Sequence, residues 1–234
     1  MARMLSPSSL RSIFQWINQQ CQLCHLPLSS GERVWCHHCL ASFPQPPYCS
    51  HCGATTLAPA NHCGQCLASP PPWQRLYRLG EYGFPLSQLI HQLKFGKKFW
   101  LAQPLGQLLA QQIDQPAPLL LPVPLHPLRR FSRGFNQSSD LARAIADNTH
   151  SRCLPDGFCR IRHTKVQKQL TKKEREKNLH QAFILNAKPL PDHIAIVDDV
   201  VTTGSTVTEL THLLQNEGVK RVDIYCICYT PTMK

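Results

Sequence analysis

The chain has 234 residues, of which 42% are hydrophobic and 17% are charged, and its formal net charge at pH 7 is +11. This length suits one α/β domain with a small additional module, and no stretch is long and apolar enough for membrane insertion. Only three of the basic side chains lie in residues 1–72. The positive excess therefore lies mainly on the rest of the chain, which favours polyanionic partners such as phosphorylated substrates or nucleic acid.

Residues 1–20 predict a short amphipathic helix, because Leu10, Ile13, Phe14 and Ile17 fall at helical spacing. The segment lacks a continuous apolar core and a small-residue cleavage site, which argues against a signal peptide. We therefore expect a cytoplasmic protein. Peripheral association with the inner face of the membrane through partners is left open.

Residues 21–68 hold four Cys-x-x-Cys pairs, which are formed by Cys21, Cys24, Cys36, Cys39, Cys49, Cys52, Cys63 and Cys66. Two such pairs complete a tetrahedral site, so the segment predicts a double zinc ribbon with two structural, four-cysteine zinc sites. We expect neighbouring pairs to share a site, and an interleaved cross-brace is left open. Disulfides are disfavoured without a secretion signal, and four tandem pairs outside a βαβ pattern are not typical of a redox motif.

Residues 69–72, Ser-Pro-Pro-Pro, predict a stiff joint and hence the boundary of a larger domain over residues 73–234. After an initial strand, Leu86 begins an apolar stripe at helical spacing. A basic turn with three lysines follows over residues 94–98. These lysines are interpreted either as phosphate contacts or as a solvated turn.

A second apolar strand, Leu119 to Val123, is predicted to end in the turn Val123-Pro124-Leu125. The loop that follows is rich in arginine and contains Arg129, Arg130 and Arg133. Ligands of doubly wound sheets collect at the carboxyl ends of the strands, so we expect this loop to face a ligand. Arginine suits a phosphate because its planar guanidinium donates two parallel hydrogen bonds. Solvated arginines are the alternative.

Residues 160–180 are the most basic part of the chain and contain few apolar side chains. This composition predicts a charged hood that closes over a phosphate ester or lies along a nucleic-acid backbone. A solvated helix face is the alternative interpretation.

The stretch Ile194 to Thr206 begins with four apolar residues, which predict a strand buried on both faces of a parallel sheet. Asp198 and Asp199 come where this strand is expected to end. The run that follows is rich in hydroxyl groups and contains Thr202, Thr203, Gly204, Ser205 and Thr206. Backbone amides at the start of the next helix can hold a phosphate, and the carboxylates can accept ribose hydroxyls or hold Mg²⁺ through water. The stretch therefore predicts a sugar-phosphate site.

This stretch resembles the phosphoribosyl-pyrophosphate (PRPP) signature of type I phosphoribosyltransferases. With the four cysteine pairs and the motifs Leu89 to Phe95 and Arg129 to Gln137, it makes the chain similar to the ComF/GntX family of phosphoribosyltransferase-like competence proteins. The resemblance implies that Asp198 and Asp199 bind the ribose hydroxyls of PRPP. It also implies that residues 202–206 hold the 5′-phosphate and that residues 123–125 form the pyrophosphate loop.

The expected fold is therefore α/β, with a type I phosphoribosyltransferase-like parallel sheet and a small N-terminal zinc-ribbon domain. The leading hypothesis is a competence protein for natural transformation that binds PRPP with magnesium and single-stranded DNA. The alternative is an active phosphoribosyltransferase in which Asp198 and Asp199 are catalytic and the acceptor is unidentified. A third hypothesis makes the zinc ribbon a docking surface for a DNA-processing partner such as a competence helicase.

Overall fold

The computed structural model describes residues 20–125, 134–161 and 182–230. The chain divides into two compact units, residues 1–43 and residues 44–234. The predicted N-terminal helix and most of the predicted basic hood lie outside the described ranges. Within those ranges, no helix is long and apolar enough to cross a membrane.

The smaller unit is organised around four cysteines and one short helix, α1 (His37–Ala41). Its buried aromatic contact is an edge-to-face pair of Trp35 and Phe43, whose ring centroids are 5.6 Å apart. Glu32 holds the connecting loop, because its carboxylate accepts hydrogen bonds of 2.7 Å from the backbone N–H groups of Ser29 and His37. A unit this small cannot bury enough apolar surface by itself, so a metal or another cross-link is expected to stabilise it.

The larger unit contains seven strands among the described residues, namely β1 (Arg75–Glu81), β2 (Leu119–Pro122), β3 (Arg152–Cys153), β4 (Phe158–Arg160), β5 (Phe183–Leu185), β6 (His193–Val201) and β7 (Arg221–Tyr229). Five of them form a parallel sheet in the order β1-β7-β6-β2-β3. The other two, β4 and β5, form an antiparallel pair. The parallel sheet confirms the predicted α/β class.

Among the described residues of the larger unit, the α-helices are α2 (Gly64–Ala68), α3 (Leu86–Phe95), α4 (Ala102–Ala110), α5 (Gln137–Thr149) and α6 (Ser205–Asn216). α6 covers one face of the sheet, where Val207 and Leu210 join Ile194 and Ile196 in one apolar cluster. α4 and α5 lie very close to each other at Gly106, where a Cβ atom would lie only 2.6 Å from the Cβ of Ala144. Glycine is therefore required at this crossing.

The two central strands form the most buried part of the molecule. The apolar start of β6, residues 194–197, is fully buried, as predicted for a strand covered on both faces. In β7, Cys226 and Cys228 are also fully buried, and they pack there as small apolar side chains. β6 extends to Val201 because β7 continues to pair with it as far as Tyr229. The strand is thus longer than predicted, and both carboxylates lie within its last part.

The outer edge of β1 is covered by residues that precede it in the chain. The backbone N–H of Leu76 donates to the carbonyl oxygen of Ser50 at 2.8 Å, and that of Glu81 donates to Pro44 at 2.9 Å. The indole N–H of Trp73 donates to the carbonyl oxygen of His51 at 2.8 Å. An edge strand has unpaired backbone groups, and these bonds satisfy some of them. The structure therefore divides the chain near residue 43, whereas the sequence places the boundary at the proline-rich joint.

Candidate functional site

The eight predicted metal ligands form two clusters of four, which we call the first cysteine cluster (Cys21, Cys24, Cys36 and Cys39) and the second cysteine cluster (Cys49, Cys52, Cys63 and Cys66). Within each cluster all four sulfur atoms lie within 4.8 Å of one another. Neighbouring Cys-x-x-Cys pairs therefore share a site, and the interleaved arrangement does not occur.

The two clusters repeat one local design. In each, the first cysteine accepts at its carbonyl oxygen a hydrogen bond from the residue four positions on, His25 or Gly53. Both of these residues have a positive φ, of 60° and 83°. The third cysteine of each cluster caps a short helix, α1 or α2. Each cluster thus combines a tight turn with a helix start, and both elements direct sulfur atoms toward one point.

The spacing of the sulfur atoms fits a tetrahedral ion. The Sγ atoms of Cys49 and Cys66 are 3.8 Å apart, and those of Cys52 and Cys63 are 3.6 Å apart. Four thiolates bound at about 2.3 Å in tetrahedral geometry have sulfur–sulfur distances of about 3.8 Å. Burial acts to raise the pKa of Cys21, but hydrogen bonds from the backbone N–H groups of Cys24 and Cys36 outweigh it and lower this pKa to about 6. The first cluster therefore holds a thiol that is readily deprotonated, as a metal ligand must be.

A second concentration of polar groups lies at the carboxyl end of β6. We call Asp198 and Asp199 the carboxylate pair. The Oδ1 atom of Asp198 accepts hydrogen bonds from the hydroxyl of Ser138 at 3.1 Å and from the backbone N–H of Asp199 at 2.9 Å. Asp199 accepts a hydrogen bond of 3.1 Å from the side-chain amide of Gln137, and its Oδ1 lies 2.9 Å from the ammonium of Lys94. Three separate elements, α3, α5 and β6, therefore meet at the pair.

The environment of the carboxylate pair opposes ionisation of Asp198. Burial is the main cause that raises the pKa of Asp198 to about 7, and the charge of Asp199 is the second. The charge of Lys94 and the hydrogen bonds that Asp198 accepts act in the opposite direction. Near neutral pH Asp198 is therefore only partly ionised. Hydroxyl donors or a cation placed here would stabilise the ionised form.

The segment after the pair is an open turn that leads into α6. Gly204 has a φ of 73°, and a Cβ atom at this position would lie 3.0 Å from the indole ring of Trp73. The positive φ favours glycine here, and any other residue would also require the Trp73 ring to shift slightly. The hydroxyl groups of Thr203 and Ser205 lie 2.8 Å apart, and no side chain caps the start of α6. The predicted phosphate residues 202–206 thus surround a helix N-terminus that can receive an anion.

The predicted turn over residues 123–125 lies beside the same strand end. The backbone N–H of Val123 donates to the carbonyl oxygen of Val197 at 2.8 Å, directly before the carboxylate pair. The side chain of Asn136 donates to the carbonyl oxygen of Val123 and accepts from the backbone N–H of Ser138, so it ties β2 to the start of α5. The predicted phosphate ligands Arg129, Arg130 and Arg133 lie outside the described residues.

The sequence pattern indicates no role at this site for Gln137 and Ser138, and it is compatible with Lys94 either as a phosphate contact or as part of a solvated turn. The structure brings all three to the carboxylate pair. A signal for Gln137 was present, because it ends the arginine-rich motif that follows β2. No local pattern indicates that Lys94 pairs with Asp199, since the two residues are far apart in the chain.

The sequence of this chain is similar to a known domain family and to several known proteins. Residues 107–234 match the family model described as phosphoribosyl transferase domain. DNA utilization protein YhgH of Escherichia coli (strain K12) is 40% identical over 223 residues, which cover 90% of this chain and 96% of that protein. Competence protein F of Haemophilus influenzae (strain Rd) is 34% identical over 226 residues, which cover 91% and 98%. The chain belongs to the ComF family.

More distant members of the ComF family extend the likeness. Competence protein ComFC of Streptococcus pneumoniae (strain R6) is 22% identical over 208 residues, which cover 86% of this chain and 90% of that protein. A match of this length extends beyond the phosphoribosyl transferase domain of residues 107–234. The predicted family membership is thus confirmed.

The raised pKa of Asp198 predicts a pH-dependent cost in stability. The pKa of Asp198 in the folded protein lies above its value of 3.8 in the unfolded chain. Ionisation of Asp198 therefore destabilises the folded protein. This destabilisation is absent below the pKa of the unfolded chain and complete above the pKa of the folded protein. Replacing Asp198 by Asn removes the ionisable group and should raise the melting temperature more at pH 8 than at pH 5. Thermal unfolding of wild type and variant at both pH values measures the difference.

Asp192→Asn provides the control for this experiment. Asp192 is an exposed carboxylate that pairs with Lys220 at 2.8 Å, and its replacement should not stabilise the protein at pH 8. An Asp198→Asn effect of equal size at both pH values would contradict the assigned electrostatic cause.

Proposed function

We propose that this ComF-family chain binds PRPP with magnesium and single-stranded DNA and acts in DNA uptake in the cytoplasm. The observation that carries the proposal is the arrangement at the end of β6, where the carboxylate pair is followed by the Gly204 turn and the start of α6. Carboxylates accept hydrogen bonds from the two ribose hydroxyls, while a helix N-terminus with surrounding hydroxyls accepts the 5′-phosphate. The match to a phosphoribosyl transferase domain supports the same ligand.

Magnesium fits the donor set at this site. Mg²⁺ prefers oxygen ligands and binds through one or two carboxylates together with phosphate oxygens and water. The carboxylate pair and the pyrophosphate of PRPP offer such a set. The ion would neutralise charge on the pyrophosphate, and the carboxylates would orient the ribose.

A role in DNA uptake is supported by the relatives and by one surface of the larger unit. The relatives carry the names DNA utilization protein and competence protein. We call Phe95, Phe99 and Trp100 the aromatic surface, because these side chains are 65%, 58% and 41% exposed. Lys97 and Lys98 lie between them in the chain. Positive charge interleaved with exposed rings is typical of sites that track a single strand and stack its bases.

The aromatic surface lies next to the carboxylate pair, because Lys94 contacts Asp199 and directly precedes Phe95. Phe135 packs edge-to-face against Phe99 with ring centroids 6.2 Å apart. A nucleic-acid strand on this surface would therefore pass close to the proposed PRPP site.

We further propose that both cysteine clusters hold structural zinc, because four thiolates match this ion and leave no position for a reacting water. The smaller unit then offers a docking surface for a DNA-processing partner such as a competence helicase.

Calorimetric titration of PRPP with Mg²⁺ tests the main proposal. Wild type should bind, and the double variant Asp198→Ala with Asp199→Ala should lose binding because the ribose acceptors are gone. Asp192→Ala removes an exposed carboxylate elsewhere on the larger unit and should bind like wild type. No heat from wild type would show that the arrangement serves only as scaffold.

Fluorescence anisotropy with a labelled oligo(dT) tests the DNA surface. Phe99→Ala combined with Trp100→Ala should weaken binding about tenfold or more, because each base–aromatic stack contributes about 1–3 kcal/mol. Phe84→Ala is the matched control, since Phe84 is 73% exposed but precedes the opposite end of α3. Equal affinities of wild type and double variant at low salt would exclude the aromatic surface.

Paired serine variants test the two zinc sites. One double variant carries Cys24→Ser and Cys39→Ser, and the other carries Cys52→Ser and Cys63→Ser. Each should lose about half of the zinc, because each removes two ligands of one four-ligand site. Only the second variant should lower the melting temperature of the larger unit. Ser50 and His51, which lie between Cys49 and Cys52, accept hydrogen bonds from residues 73–76 at the edge of the sheet. Elemental analysis and thermal unfolding measure both effects, and full zinc content in either variant would contradict the assignment.

A further inference from the structure

Lys94 places an ammonium group against the carboxylate pair. Its Nζ atom lies 2.9 Å from Oδ1 of Asp199, and 24% of the Lys94 side chain is exposed. Lys94 lies in the last turn of α3, where the helix dipole favours a positive charge. The side chain is therefore held at the pair by its own helix, yet part of it still faces the solvent.

The hydrogen bonding around this ion pair is incomplete. Gln137 is 3% exposed and donates its amide N–H to Asp199. Its carbonyl oxygen Oε1 is buried and accepts no hydrogen bond from any residue that the structure describes. A buried acceptor without a partner is unfavourable, and a hydroxyl group arriving at the pair would supply the missing donor. The network thus has a place for ligand hydroxyls beside the carboxylate that holds Lys94.

We propose that Lys94 is a specificity-determining residue, which leaves Asp199 when PRPP binds and pairs with the pyrophosphate of the ligand. This inference rests on the proposed function, in which the carboxylate pair accepts the ribose hydroxyls. In PRPP the pyrophosphate is bonded to the ring carbon next to the one that carries the 2-hydroxyl. A cation beside the carboxylates is therefore also beside the pyrophosphate.

The exchange leaves every charged group with a hydrogen-bond partner. Ribose hydroxyls replace the ammonium as donors to Asp199, and the ammonium gains an anionic oxygen in place of the carboxylate. A lysine suits this exchange because its ammonium is a compact charge on a flexible stem. Lys94 could not make this contact with an anionic oxygen in ribose 5-phosphate, which has a hydroxyl where PRPP has the pyrophosphate.

This difference separates the proposed role from simple charge balance. If Lys94 only neutralises the carboxylate pair, its removal changes the affinity for PRPP and for ribose 5-phosphate alike. If Lys94 contacts the pyrophosphate, its removal weakens PRPP binding alone. The ratio of the two dissociation constants is thus the quantity to measure.

The experiment titrates PRPP and ribose 5-phosphate, each with Mg²⁺, into full-length wild type and Lys94→Met. We expect the dissociation constant for PRPP to rise about ten- to one-hundred-fold, as for the loss of one charged hydrogen bond, and that for ribose 5-phosphate to stay unchanged. Lys220→Met removes the same charge from a position elsewhere on the larger unit, where the side chain is 75% exposed, and should leave both constants as in wild type. Lys94→Arg keeps the charge and should retain most of the preference for PRPP.

Circular dichroism establishes that each variant is folded, and Lys94→Gln, which can still bond to Asp199, takes the place of Lys94→Met if the latter does not fold. Equal weakening of both ligands, or no weakening of PRPP, would overturn the role of Lys94 and leave the proposed function intact. Failure of wild type to bind PRPP would overturn both.

Discussion

Two adjacent carboxylates at the end of a buried strand impose the main constraint on this molecule. Asp198 and Asp199 repel each other and are poorly solvated, so the protein must supply them with donors and a cation. Lys94 of α3 and the first two residues of α5 meet that need. Both helices must therefore end or begin at the carboxyl edge of β6, and the strand order of the sheet places them there. The packing of α4 against α5 at Gly106 holds this arrangement in place.

In the proposed function, the same edge of the sheet combines two kinds of recognition. Polar groups from β6 and α5 converge on the carboxylate pair, whereas the exposed rings that follow Lys94 form an aromatic surface beside it. Because Lys94 belongs to both, a ligand that displaces its ammonium also acts on the segment that carries Phe95. A ComF-family protein could in this way link binding of a sugar phosphate to binding of a nucleic-acid strand, by contacts within one helix end.

The two cysteine clusters share one local design but differ in what surrounds them. The first lies in a unit with little apolar surface of its own, whose fold we expect to depend on the metal. The second belongs to the segment that covers the outer edge of β1, where Ser50, His51 and Pro44 accept hydrogen bonds from the strand region. There the cluster also protects an edge that would otherwise be available for pairing with other chains.

Features that depend on neighbours in the chain could be predicted from the sequence alone. These include the buried start of β6, the carboxylates followed by a Gly204 turn and a helix, and the thiol ligands, since each is encoded within a few residues by pattern and spacing. Only the tertiary structure shows that Lys94 and Gln137 meet Asp199, that neighbouring cysteine pairs share a site, and that residues 44–68 belong to the larger unit. These contacts join residues that are distant in the chain, so they follow from strand order and from the unpaired edge of β1, which no local pattern specifies.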